Sequence, residues 1–526
     1  MEYLPKITET IRLQTAVPVH SYLLDHCFEG NAVLPAVETV QLLATIVKKF
    51  RPNTDITGMT DARFDKFLFI QRNMTQINAF TDIAVHENGD ITATLFTKNR
   101  SKKSSITRIK EHATVRFPRI KPGFSDQPLD LMAALEGICV EISSDKIYRD
   151  LVPFGPAYHN IRDILHIAEA GAIAKTGTPA NYTGSGFPCN LGSPFILDAA
   201  FHAACVWGQR YSQTVVFPVA IDKRVIFKRT RPGETYISCI QPVQTEQPLL
   251  IFDIWIYNRD GCLFEAISGI RMRDISAGRL KPPQWIIDRS KEGSLNRIRR
   301  HCHNLSVIEL KTVLPFAEKT LSGIEKKRGE KMKDRRKRSY LAARLACKRL
   351  SRSLSGNDTR TSAVHITTIC LDQVRPCCPL TACREVSQSS QLVPAQGRAN
   401  GSSIFSCAVS HDDRFAIAVA ARHPIGIDVE KISERALKSS RLYMSAEEQS
   451  LVKESRMGEI ESAVRIWSIK EAVAKSLNIT MADSWARVQV IDTGRYESRT
   501  QIDNRDTYPV FHDTVDKHLF TIIEIP

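Results

Sequence analysis

The run HCFEGNAVLP at residues 26–35, followed by AVETVQLLATIVKKF at 36–50, decides how the first half of the chain is read. Residues 36–50 repeat apolar positions at helical spacing, and Pro35 stands where a proline suits a first turn. Gly30 permits a turn or a close backbone approach that a side chain would block. Around this helix, short apolar runs alternate with turn residues: Ile91–Phe96, Ala113–Phe117, Val215–Ile221, Tyr236–Ile240 and Leu249–Tyr257. These predict antiparallel strands. A second apolar helix is predicted at Phe195–Tyr211, FILDAAFHAACVWGQRY. Residues 1 to about 280 therefore read as sheet–helix–sheet twice over, two similar units in tandem.

Lys281-Pro282-Pro283 interrupts the pattern, because proline cannot continue a strand ladder, and the boundary is placed near 285. The fold class is α+β, with domains at 1–285 and 286–526. In the second, helices are predicted at Ser339–Leu350 and Ser445–Leu477. Strands are predicted at Val364–Cys370, Phe405–Val409, Phe415–Ala421, Arg487–Asp492 and His518–Ile525. An internal repeat sets Leu321–Glu325 beside Met444–Glu448, and LAARLACKRL at 341–350 beside SIKEAVAKSL at 468–477. That alignment brings Lys348 onto Lys475 and Arg344 onto Glu471.

Charge is uneven: 72 Lys+Arg against 57 Asp+Glu gives +15. Nine basic residues fall within the thirteen of Lys326–Arg338. This run lacks interleaved aromatics and any nucleic-acid module, so an acidic protein partner is preferred to nucleic acid. No stretch reaches the ~20 apolar residues of a spanning helix, and no signal-peptide pattern opens the chain. The 13 cysteines form no framework, which fits a reducing cytoplasm. Cys370, Cys377, Cys378 and Cys383 cluster, but without zinc spacing.

Two constellations carry chemistry. In the first, His26 can take a proton near neutrality. Asp198 and His202 lie at i and i+4 on one face of the second helix. Asp198 sits among apolar neighbours, where a carboxyl tends to keep its proton and can serve as an acid. Taken singly, His26 could be a core histidine and Asp198 a helix cap. In the second, Asp428 and Glu430 of Gly426-Ile-Asp-Val-Glu430 point to one side of a strand and suit Mg²⁺. Glu471 and Lys475, at i and i+4 on a helix, would complete a diphosphate site, although alone they read as a surface ion pair.

The motif H-x-x-x-G-x-x-x-x-P together with Leu197-Asp198-x-x-x-His202 resembles the dehydratase domain of polyketide and polyunsaturated-fatty-acid synthases. Phe154-Gly155-Pro156-Ala157-Tyr158 and Phe217-Pro218-Val219 add to the likeness. The resemblance implies a double hot-dog fold. It also implies that His26 removes the C2 proton of a 3-hydroxyacyl thioester, that Asp198 protonates the departing hydroxyl, and that His202 orients Asp198. The chain departs from the family at Phe154, where a tyrosine is usual, and in lacking the glycine that normally begins that motif.

G-I-D-V-E followed by Trp467-Ser-Ile-Lys470-Glu471-Ala-Val-Ala-Lys475 resembles the 4′-phosphopantetheinyl transferase superfamily, in its two-lobed, surfactin-synthetase-type form. Val409-Ser410-His411 and Met444-Ser-Ala-Glu-Glu448 support it. The resemblance implies a pseudo-symmetric α+β domain. Asp428, Glu430 and Glu471 would hold Mg²⁺ against the diphosphate of coenzyme A, and Glu471 or a metal-bound water would help deprotonate an acceptor serine. Lys475 would stabilise the departing bisphosphate, while Arg344, His411 and Lys470 would contact phosphates. The partner implied is an acyl carrier protein, which this chain does not itself contain. The dehydratase–transferase order resembles the C-terminal end of enediyne-type iterative polyketide synthases. Two alternatives stand beside it: a transferase on a degenerate hot-dog scaffold, or a non-enzymatic protein that docks carriers or binds nucleic acid.

Overall fold

The computed structural model describes residues 5–100, 107–124, 127–179, 190–289, 293–354, 362–366, 368 and 406–526. It divides into two compact units, Met1–Leu129 with Cys139–Asp288, and Asp130–Ile138 with Arg289–Pro526.

The first unit is built on one antiparallel sheet of twelve strands among the described residues. In order across it lie Ile7–Pro18, Gln76–His86, Ile91–Arg100, Thr107–Phe117 and Gly58–Phe64. Next come Phe217–Ile226, Leu263–Arg273, Leu249–Asn258, Thr235–Gln244, Gly171–Gly177, Ile161–Ala168 and Val140–Ser143. The halves join where Gly58–Phe64 pairs with Phe217–Ile226, Ala62 opposite Ile221 and Gly58 opposite Val225. Each half wraps one helix, α1 (Ala36–Phe50) and α2 (Pro194–Tyr211), which is the double hot-dog expected. The exposed end of α1 carries Lys48 and Lys49 in its last turn, where cations suit the helix dipole. Helix α2 is buried from Pro194 to Arg210, so apolar residues occupy every side of it rather than one stripe, with Asp198, His202, Gln209 and Arg210 as its buried polar exceptions. Leu43, Ala44 and Val47 of α1 share one core with Ile196, Ala200, Ala203 and Val206 of α2.

The second unit has a three-stranded sheet, Asn304–Glu309, Phe415–Ala421 and Ser406–His411 in order. It also has a five-stranded sheet, Ile425–Lys431, His518–Glu524, Asp506–Val515, Glu497–Ile502 and Val488–Asp492. Helices α3 (Asp334–Leu354) and α4 (Glu459–Leu477) accompany them. The segment Asp130–Ile138 belongs to this unit. The Asp130 carboxylate accepts from Ala363 N (2.8 Å) and Ser362 Oγ (3.2 Å), Arg349 Nη1 donates to the Leu131 carbonyl (3.2 Å), and Gly137 N donates to that of Val307 (3.0 Å).

Three sequence readings need correction here. The helix expected over Ser445–Leu477 is two helices, Ala446–Lys453 and α4, separated at Gly458, whose φ of 87° no helix contains. Val364 and His365 lie in a 3₁₀ turn, Ala363–His365, and Ile366 and Thr368 lie in no strand; Thr367, Ile369 and the Cys370–Cys383 cluster fall outside the described residues. The repeat is real in its anchors but not in its register. Ser322 and Ser445 both cap helices in reciprocal capping boxes with Glu325 and Glu448. Those two buried glutamates pair with Lys348 (2.7 Å) and Lys470 (2.9 Å). Lys348 therefore corresponds to Lys470, not to Lys475, and Arg349, not Arg344, corresponds to Glu471. Chance spacing of lysines on two helices misled the alignment; burial distinguishes the equivalent one.

Candidate active sites

In the first unit, His26 follows the 3₁₀ turn Ser21–Asp25 and leads into the short strands Cys27–Phe28 and Asn31–Val33. Gly30 turns between them at φ 78°, and Val33 N donates to the His26 carbonyl (2.9 Å). Pro35 then caps α1. The motif is thus strand, turn, strand, helix, and it delivers one imidazole to the end of α1. Phe154-Gly155-Pro156 clamps the same place. Gly155 N donates to the Asp25 carbonyl (2.8 Å) and Ala157 N to the Asp25 carboxylate (2.9 Å). A Cβ on Gly155 would lie 2.3 Å from the Asp25 side chain, so only glycine lets the two segments meet.

His26, Asp198 and His202 line one cavity of about 710 Å³, together with Phe154, Phe201 and Phe217. The Phe154 ring, which replaces the expected tyrosine, lies 4.3 Å from that of His26 and 5.1 Å from that of His202. Burial pushes the His26 imidazole down to about 4, only partly offset by the Asp198 charge. The ring is therefore neutral and ready to accept a proton at physiological pH. Asp198 corrects an expectation. Burial alone would raise its pKa, but His202 and then His26 outweigh burial, and the carboxyl is held below its ordinary value. Asp198 Oδ2 lies 2.9 Å from His202 Nε2, off the line of a formal hydrogen bond. Apolar neighbours in sequence did not reveal the imidazoles that keep Asp198 ionised.

In the second unit, Asp428 and Glu430 lie on the strand Ile425–Lys431 and Glu471 and Lys475 on α4. Helix and strand approach so closely that a Cβ on Gly426 would sit 1.8 Å from the Ala472 carbonyl oxygen. That contact, which the sequence reading overlooked, explains the glycine of G-I-D-V-E and aligns the two ligand-bearing elements. Oxygens of Asp428, Glu430 and Glu471 lie within 4.8 Å of one another. Asp428 accepts from Lys475 Nζ (2.7 Å), Ser410 Oγ (2.9 Å) and Ser468 Oγ (2.8 Å), and Glu430 from Trp467 Nε1 (3.1 Å). Lys475 is 3.4 Å from Glu471. Burial and the Asp428 charge push Glu430 up to about 7 and Glu471 up to about 8. Crowded oxygen donors whose mutual repulsion one ammonium does not discharge suit a hard dication, so the donor set fits Mg²⁺.

His411 ends the strand Ser406–His411, where burial and then the Lys475 charge lower its pKa. Two expected phosphate contacts are not placed for that role. Lys470 is buried and donates to the Tyr443 carbonyl (2.8 Å) while paired with Glu448. Arg344 is also buried, with Nη1 donating to the Thr368 carbonyl (2.6 Å). Their side chains turn into the lobe because each has a buried acceptor there.

A family model described as the polyketide synthase dehydratase N-terminal domain matches residues 127–282, and the 4′-phosphopantetheinyl transferase superfamily model matches 424–522. The two matched stretches lie one in each compact unit, the dehydratase model on the first, Asp130–Ile138 apart, and the transferase model on the second. A similar curated protein is 4′-phosphopantetheinyl transferase gsp of Aneurinibacillus migulanus, 29% identical over 82 residues, 15% of this chain and 35% of that protein. The match thus spans about a third of the curated relative. Among solved structures, the dehydratase domain of a mycocerosic acid synthase-like polyketide synthase is 16% identical with a TM-score of 0.43, covering 52% of this chain and 92% of that one. A trans-AT polyketide synthase dehydratase domain from Brevibacillus brevis is 17% identical with a TM-score of 0.43, covering 51% and 96%. Among the described residues, no helix is long and apolar enough to cross a membrane.

Proposed function

We propose that the chain dehydrates 3-hydroxyacyl thioesters carried on an acyl carrier protein and also loads carriers with 4′-phosphopantetheine from coenzyme A. The working domains are the two compact units, near the expected 1–285 and 286–526 except that Asp130–Ile138 belongs to the second. The dehydratase reading rests on one cavity receiving His26 from the first hot-dog and Asp198 from the second. Neutral His26 takes the proton from C2 of the substrate. Asp198, ionised, accepts the hydrogen bond of the 3-hydroxyl and stabilises the imidazolium that forms. His26 then returns that proton to the departing hydroxyl, so C2–H and C3–OH leave as water and the protein is unchanged. This replaces Asp198 as proton donor, because a carboxylate has no proton to give.

The transferase reading rests on the convergence of Asp428, Glu430 and Glu471. These three would hold Mg²⁺, which supplies positive charge to the diphosphate of coenzyme A. Glu471 accepts the proton of the acceptor serine as its oxygen bonds to the β-phosphorus. The bond to the 3′,5′-bisphosphate breaks, and Lys475 and His411 meet the charge of that leaving group. The partner is an acidic acyl carrier protein. Lys326, Lys327, Arg328, Lys331, Lys333, Arg335, Arg336 and Arg338 are exposed and suit such a surface. The cysteines Cys27, Cys205, Cys239, Cys262 and Cys302 are free thiols, in keeping with the cytoplasm. Intact mass of an apo carrier protein, incubated with coenzyme A and Mg²⁺, tests the transferase: a phosphopantetheine-sized gain is expected, and its absence overturns the reading. Ultraviolet absorbance of the enoyl product from a 3-hydroxyacyl pantetheine thioester tests the dehydratase.

A further inference from the structure

The Tyr148 side chain is buried beneath the first unit's cavity, and the acid–base pair proposed above makes no use of it. Its hydroxyl oxygen accepts from two backbone donors at the start of the strand Ile161–Ala168, Asn160 N at 2.9 Å and Ile161 N at 2.8 Å. A phenol oxygen so occupied keeps a single proton of its own to donate. The acceptor within reach is His202 Nδ1, 3.3 Å away. The His159 ring stacks on Tyr148 at 4.3 Å, and His159 Nε2 is bonded to the Phe154 carbonyl (2.8 Å), so the phenol is packed in place. Burial also raises the Tyr148 pKa far above its ordinary value, which keeps the proton on the oxygen.

An imidazole nitrogen that accepts a hydrogen bond carries no hydrogen, and in the neutral ring the other nitrogen then must. The other nitrogen is Nε2, 2.9 Å from Asp198 Oδ2. We propose that Tyr148 is a positioning residue that holds His202 in its Nε2–H tautomer, so that the imidazole presents a donor to the Asp198 carboxylate. The opposite tautomer would set a lone pair against that carboxylate and a hydrogen against the phenol hydrogen. Order therefore runs from two main-chain amides through Tyr148 to His202, whose Nε2 faces Asp198 Oδ2 at 2.9 Å though off the line of a formal hydrogen bond, and neither Tyr148 nor His202 can reverse the bond between them alone. The inference rests on the dehydratase reading for its consequence, but not for the tautomer itself.

The full chain labelled with ¹⁵N in its histidine rings tests it, at pH 8 and without substrate. The His202 resonances are assigned by their loss in His202→Gln. The expected pattern is a protonated Nε2 and a bare Nδ1; a protonated Nδ1 overturns the proposal, whether or not the protein dehydrates anything. In Tyr148→Phe, His202 should show a mixture of tautomers, and kcat for dehydration should fall about 10- to 100-fold, the range for removing the partner that fixes an imidazole. KM should change little, since Tyr148 does not line the cavity. An unchanged spectrum and kcat in folded Tyr148→Phe would overturn it. If that variant does not fold, His202→Gln and His202→Leu decide. The amide can accept from Tyr148 and donate to Asp198, so Gln should retain turnover that Leu loses, and equal turnover would overturn the proposal.

Discussion

Both units hold a buried aspartate at the centre of their site, Asp198 in the first and Asp428 in the second, and both aspartates are kept ionised against burial. Their neighbours differ. Asp198 is flanked by imidazoles, His202 and His26, within an aromatic cavity. Asp428 is balanced by Lys475 but crowded by Glu430 and Glu471, whose pKa values rise to about 7 and about 8. One buried carboxylate thus serves two chemistries. Paired with weak bases it leaves a neutral imidazole free to move protons; surrounded by surplus carboxylates it makes a place for a cation. Local charge balance separates them, not the aspartate.

The comparison breaks most completely at Glu471. Glu471→Gln removes a ligand charge at nearly constant size, and carrier modification should fall by about 10³-fold or more while dehydration is untouched. Parental transfer rates in the folded variant would refute the assignment. His26→Ala should lower dehydration by about 10²–10⁴-fold and leave phosphopantetheine transfer unchanged, as followed by enoyl absorbance and carrier mass.

The two sites should also answer pH differently. In the folded protein His26 is lowered to about 4 and Asp198 lies below its usual range, so neither changes charge between pH 5 and 8. Because the neutral imidazole is the active form, kcat/KM for dehydration should stay flat on descending to pH 5 and fall as pH approaches 4. An inflection near 6.5 would show that burial does not govern His26.

Lys470 sharpens the contrast between binding and building. Lys470→Met leaves Glu448 buried without its partner and should cost the second unit about 3–5 kcal/mol in denaturant unfolding. Coenzyme A KM should barely move in the protein that remains folded. A KM effect without a stability effect would restore Lys470 to phosphate recognition. The smallest change is expected at Phe154→Tyr: its ring already packs on His26, so the added hydroxyl should leave dehydration unchanged or raise it slightly.

The two helices of the hot-dogs, five of the twelve strands of their sheet and the carboxylates of the second unit were legible in local pattern. Apolar spacing reports what a helix or strand must bury, and i, i+2 and i, i+4 offsets report which side chains share a face. The register of the repeat was not legible. Lysines recur on both α3 and α4, and only burial beside Glu325 and Glu448 identifies Lys348 and Lys470 as equivalents. The Asp130–Ile138 segment gave no signal either, because its partners, Arg349, Ala363 and Val307, lie at least 170 residues away.

The sequence by itself determined the two domain types and the residues that could carry their chemistry, since those depend on residue type and short-range spacing. Only the tertiary structure decided charge and availability. It brought the His26 imidazole to Asp198, which already had His202 one turn away on its own helix, so the carboxyl expected to be raised by burial is held below its ordinary value. It turned Lys470 and Arg344 inward to buried acceptors, and it set Gly426 where α4 meets its strand. Apart from the His202 contact, which lies one helical turn from Asp198, each outcome depends on groups farther along the chain, whose fields and contacts exist only once the chain has folded.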